Sequence, residues 1–79
     1  MKRYQLEESR PIVAVYFITN RFAIGIYGIE HGTDDYVHWT FFMDGEEDKV
    51  VRRSKIHYGP RDYFRVGDKR VYFDQCMRC

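Results

Sequence analysis

Tyr36-Val37-His38-Trp39-Thr40-Phe41-Phe42-Met43 is a run of β-branched and aromatic residues with no glycine, proline or carboxylate in it. Side chains alternate across a strand, so Val37, Trp39, Phe41 and Met43 fall on one face, and Tyr36, His38, Thr40 and Phe42 on the other. The first face is read as core. The second mixes polar and aromatic groups and fits a half-exposed or partner-contacting surface. A period of two in so clean a stretch places the chain in the β class.

The flanks agree. Upstream, Pro11 opens Ile12-Val13-Ala14-Val15-Tyr16-Phe17-Ile18, and proline is tolerated at a strand's first residue. This run is apolar on both faces, which predicts a central strand covered on both sides, and its β-branched content and shortness argue against a helix. Thr19-Asn20-Arg21 reads as a hairpin turn with Asn20 able to take positive φ. Phe22–Ile29 follows as the partner strand, its Gly25 and Gly28 marking a bulge, a bend or a close backbone approach. An earlier extended segment is placed at Arg3–Glu8, and His31–Asp35 is a loop.

Downstream, Asp44-Gly45-Glu46-Glu47-Asp48 is an acidic turn whose register stays open, because a tight Asp-Gly turn and a longer loop give opposite facing beyond it. Lys49–Tyr58 is read as the next strand and Gly59-Pro60-Arg61-Asp62 as a turn. Tyr63–Val66 and Lys69–Phe73 then form a hairpin about Gly67-Asp68, since glycine at the first turn position suits type II′. Such a hairpin pairs Phe64 with Val71 on one face and gathers Tyr63, Arg65, Arg70 and Tyr72 on the other. The expected fold is all-β: a small antiparallel barrel or sandwich of six to seven short hairpin-connected strands, forming a single domain over 1–79 with a frayed C-terminal tail at 75–79. A chain of this length buries only about 60–65% of its unfolded surface. Six Phe, seven Tyr and Trp39 offset this with large rings.

At 79 residues the chain has no room for a second domain or a large internal active-site cavity. No run approaches the ~20 apolar residues that span a bilayer. The start, Met1-Lys2-Arg3-Tyr4-Gln5-Leu6-Glu7-Glu8, is charged throughout and does not read as a signal peptide, so the expected location is the cytoplasm. Net charge is only +1, but residues 1–48 carry four basic against nine acidic groups, and residues 49–79 carry nine basic against three acidic ones. Either the surface is strongly dipolar, one part suited to polyanions, or the halves interleave in the sheet and pair off their charges.

Catalytic and metal signatures are weak. Cys76-Met77-Arg78-Cys79 has C-x-x-C spacing, and His31, His38 or His57 could be imagined to complete a zinc site. A second C-x-x-C or an H-x-x-x-H pair is missing, however, and the redox reading lacks its βαβ context. Reduced thiols on a frayed tail are expected, with no metal and no cofactor. His38 and His57 could approach across strands as an acid–base pair, yet no nucleophile–base pattern, phosphate loop or calcium loop accompanies them, so no enzyme activity is expected.

Two binding faces remain. Arg52, Arg53, Lys55, Arg61, Tyr63, Arg65, Arg70 and Tyr72 interleave cations with aromatic planes, the chemistry that meets phosphates and stacks on bases. The competing structural reading has the tyrosines pair across strands with arginines stacked on them. The first functional expectation is a small non-catalytic binding module whose basic-aromatic face engages nucleic acid or an acidic surface. The alternative places Tyr36, His38, Phe42, Asp44, Glu46, Glu47 and Asp48 against a protein partner. Clustered carboxylates can mimic a phosphate backbone and block a nucleic-acid-handling complex. In size and character the chain is like small phage or mobile-element proteins, some of which obstruct CRISPR effectors in this way. An exposed edge strand also offers a route to a homodimer.

Overall fold

The structure, a computed structural model, describes residues 11–79, so the extended segment expected at Arg3–Glu8 lies outside the described residues. Strand β3, Tyr36–Met43, has the bounds that its alternation predicts. Around it stand β1 (Ala14–Phe17), β2 (Phe22–Glu30), β4 (Glu46–Glu47), β5 (Arg52–His57), β6 (Tyr63–Val66), β7 (Lys69–Tyr72) and β8 (Met77–Arg78). All pairings are antiparallel. The order is β7-β6-β5-β3-β2-β1-β8, with β4 also beside β3. The two outermost strands, β7 and β8, are consecutive in the chain and joined through a 3-10 turn at Phe73–Gln75. The sheet therefore curls into a half-barrel, an all-β architecture as expected.

The concave face holds the core. Ile24, Ile26, Val37, Trp39, Ile56, Phe64 and Val71 are buried together, with Ala14, Tyr16, Phe41, Val66, Phe73 and Cys76 packed around them. Trp39 meets Phe41 edge-on with centroids 4.9 Å apart, a favoured aromatic geometry.

Five expectations are corrected. The apolar run Ile12–Ile18 yields only the four-residue β1, and it is not covered on both sides: Val13 and Phe17 are 46% and 55% exposed. Ala14 and Tyr16 join the core, whereas among the described residues no second layer covers Val13 and Phe17. Asn20 does not take positive φ. Instead Thr19 Oγ1 accepts the Arg21 and Phe22 N–H groups at 3.1 and 3.0 Å, turning the chain with a hydroxyl.

The second face of β3 is half-buried only at its ends, Tyr36 and Phe42, and is closed at its centre. His38 and Thr40 are 3% and 0% exposed, while Met43, expected in the core, is 58% exposed. For Thr40 the cause lies beyond the turn. Asp44 and Gly45 take φ of 54° and 82°, the signature of a tight two-residue I′ hairpin, and pair Met43 with Glu46 and Phe42 with Glu47. The ladder resumes at Trp39 with Arg52, so the four residues 48–51 stand opposite only Phe41 and Thr40. This excursion folds beside Thr40, whose Oγ1 lies 3.0 and 2.9 Å from the Asp48 and Val50 carbonyl oxygens. Because the excess is an even number, the alternation survives it, and Arg53, Lys55 and His57 share the convex face with His38.

Finally, the tail at 75–79 is not frayed. Met77 and Arg78 pair with Val15 and Ala14, and the Cys79 N–H donates to the Val13 carbonyl at 3.1 Å. The glycines of β2 behave as read. Tyr27 is the extra residue of a bulge between the Ile26–Trp39 and Gly28–His38 pairs, and the Phe42 ring closes on Gly25. Among the described residues no helix is long and apolar enough to cross a membrane.

Candidate functional site

The β6–β7 hairpin sets the geometry of the basic-aromatic face. Gly67 supplies φ of 63° at the first turn position, and the register pairs Tyr63 with Tyr72, Phe64 with Val71 and Arg65 with Arg70. Phe64 and Val71 are fully buried. Alternation therefore sends Tyr63, Tyr72, Arg65 and Arg70 outward together, and pairing of His57 with Tyr63 adds β5 to the same face.

These outward groups pack on one another. His57 stacks on Tyr63 at 4.8 Å with planes only 14° apart, and Tyr63 lies 5.4 Å from Tyr72. Arg70 sits 4.5 Å above the Tyr63 ring and Arg61 4.0 Å above Tyr72. The Arg70 guanidinium also donates to the Tyr72 hydroxyl at 3.2 Å. The cross-strand tyrosine and cation–π packing named above as the structural reading is thus present.

The cations divide sharply by partner. Arg53 forms a forked pair with Glu30 at 3.0 and 3.5 Å while covering Tyr36 at 3.6 Å. Arg61 forks onto Asp74 at 2.8 and 2.9 Å, and Lys55 reaches Asp34 at 3.7 Å. The Arg53 guanidinium, with His38 next, holds the Glu30 carboxyl below the usual carboxylate range, and Arg61 does the same for Asp74. Two of these pairs, Glu30–Arg53 and Asp34–Lys55, join the acidic half of the chain to the basic half, as interleaving strands allow. Arg52 stands apart: it pairs with Trp39 on the concave side and lies over Phe41 at 5.3 Å. That leaves Arg65 and Arg70, both exposed and neither with a carboxylate partner among the described residues.

The residues of the alternative face do not share one exposed surface. Tyr36 lies beneath Arg53, and His38 is buried with its Nε2 2.9 Å from Glu30 Oε1. Asp44 is paired with Arg21 at 2.8 Å, and Asp48 accepts the Val50 N–H at 3.3 Å. Glu46 and Glu47 are exposed on β4. With Asp48 they wall a groove of about 500 Å³ floored by Phe22, Phe41 and Met43. Phe22 was not expected in such a surface.

His38 and His57 do not approach across strands. Arg53 stands opposite His38, and His57 is four positions further along β5. Among the described residues no group of three or more His, Cys, Asp or Glu could hold a metal ion. Cys76 is half-buried with its thiol 3.6 Å from the Tyr72 carbonyl, and burial, with Asp74 adding to it, pushes its pKa up to about 11. Such a thiol is a poor nucleophile at neutral pH. The chain matches no family model, curated protein or solved structure.

Proposed function

We propose that the protein is a small non-catalytic binding module, acting in the cytoplasm, whose basic-aromatic hairpin face engages nucleic acid. One observation carries the reading: Arg65 and Arg70 are directly paired across β6 and β7, exposed, and without a carboxylate partner among the described residues. Like charges directly opposite on a sheet oppose folding. Neighbouring Arg53, Lys55 and Arg61 each have a carboxylate to answer them. Two phosphates of a polyanion would neutralise the remaining pair, each gaining charge-assisted hydrogen bonds from a guanidinium edge.

The test is fluorescence anisotropy of labelled oligonucleotides over a range of salt. Two phosphate contacts on a single strand give a slope of about −1.4 for log affinity against log salt. Reversal of both charges, Arg65→Glu with Arg70→Glu, should abolish binding. Equal binding by the wild type and this variant would remove the basic face from the function.

A second reading rests on the acid-walled groove. Phe22, Phe41 and Met43 would seat apolar side chains of a protein partner, while Glu46, Glu47 and Asp48 take its cations, obstructing a nucleic-acid-handling complex. Here Glu46→Lys with Glu47→Lys should weaken recovery of that partner and leave oligonucleotide binding intact. Unchanged recovery would exclude the groove as the anchor.

A further inference from the structure

We infer that the nucleic acid is bound single-stranded, with one base docked on the exposed face of the His57 imidazole. This rests on the nucleic-acid reading above and names the class of strand and the group that takes the base. Tyr63 and Tyr72, the obvious stacking residues of the hairpin face, have their faces engaged within the protein. Tyr63 has His57 at 4.8 Å and Arg70 at 4.5 Å. Tyr72 is covered by Arg61 at 4.0 Å, and that guanidinium is itself fixed by its fork onto Asp74.

Arg70, Tyr63 and His57 thus form a column of planar groups running from β7 across β6 to β5. The column ends at an exposed imidazole that has no ring partner besides Tyr63 and no ion pair among the described residues. The planar group that extends such a column is a nucleobase. In a duplex the base faces are spent on one another, so docking there costs unstacking; in a single strand they are free. Arg65 and Arg70 lie on the same outward face one strand repeat away, placed for the flanking phosphates.

The experiment compares three labelled probes of equal length by anisotropy: a ten-nucleotide thymidine strand, an abasic phosphodiester strand and a ten-base-pair duplex. Wild type should bind the base-bearing strand about tenfold or more tightly than the abasic one, the scale of one base–aromatic stack. His57→Leu, which keeps the Tyr63 face covered without offering a ring, should bring the thymidine strand down to the abasic level. His57→Phe, which keeps a ring on the column, should retain the preference.

Equal binding of all three probes by wild type would overturn the docking of a base, and so would a preference that survives in His57→Leu or vanishes in His57→Phe. The polyanion reading would stand in those cases if affinity still fell with salt and with Arg65→Glu/Arg70→Glu. Absence of binding to any probe would overturn both.

Discussion

Phe42 fills the space that a side chain at Gly25 would need: a Cβ built there would stand 2.5 Å from Phe42 Cε1 and 3.1 Å from Ile12 Cδ1. The two residues lie diagonally across β2 and β3, and the ring covers the bare backbone of the strand, linking Ile12 to the convex face. Gly25→Ala should therefore destabilise the fold by about 1–3 kcal/mol, the cost of forcing an extra carbon into packed side chains. In a domain of this size each kcal/mol lowers the melting temperature by about 4–8 °C. A thermal melt unchanged by the substitution would show that Phe42 swings aside freely.

Ser54 is the hinge of a small polar chain inside the barrel. The Trp39 indole N–H donates to Ser54 Oγ at 2.9 Å, and that hydroxyl donates to the Arg65 carbonyl at 3.0 Å. Trp39 is only 4% exposed, so Ser54→Ala leaves a buried donor without its partner, at a cost of about 1–3 kcal/mol. In the Trp39→Phe background the same Ser54→Ala change should cost less, because the orphaned N–H is gone. Urea unfolding of the four proteins in this cycle measures the difference; equal costs in both backgrounds would remove the hydrogen bond from the account.

Stability should fall in acid, and the ion pairs set the direction. Arg61 lowers the folded pKa of Asp74, and Arg53, with His38 next, lowers that of Glu30. A depressed carboxyl pKa contributes stability that is present above the unfolded value near 4 and is lost as pH falls through the lower folded value. Asp74→Asn should thus melt below wild type at pH 7, with the gap closing as pH falls through the lowered folded-state value. The gap is modest, since both partners are about half exposed. Parallel melting curves across the whole range would mean that the Arg61–Asp74 fork contributes nothing.

The two cysteines should differ in reactivity. With its pKa raised to about 11, Cys76 has a thiolate fraction at pH 8 on the order of one in a thousand, and it is half-buried besides. Iodoacetamide should modify exposed Cys79 first and Cys76 only slowly, or after unfolding, as read by mass spectrometry of the labelled peptides. Equal labelling rates in the native protein would show that the C-terminal segment opens readily.

What could be read from the chain was local. The bounds of β3 and the two faces of the β6–β7 hairpin follow from a period of two and a Gly-Asp turn, signals contained within about ten residues. Burial of Thr40 was not readable, because it depends on an excursion at residues 48–51 that no alternation announces, and His38 lies between Gly28 and Arg53 of strands distant in sequence. The partners of the cations were hidden for the same reason. Glu30 lies 23 positions from Arg53, and only the β2–β3–β5 order brings them together. Of the eight residues on the predicted basic-aromatic face, the register sends Arg52 to the concave side and leaves Arg65 and Arg70 without carboxylates. His57 was weighed only for metal and acid–base chemistry. Its place in a ring column depends on the β5–β6 register, which no local pattern contains.

The pairing of β1 with β8 joins Val15 to Met77, a separation of 62 positions (77 − 15). Hairpins such as β6–β7 can form as soon as their turns do, whereas this ladder must first close most of the chain into a loop. Local hairpins are thus expected to form early and this ladder last. Until this ladder forms, the β1 edge at Ala14 and Val15 lacks its β8 partner, and at high concentration that interval is when intermolecular pairing competes with folding.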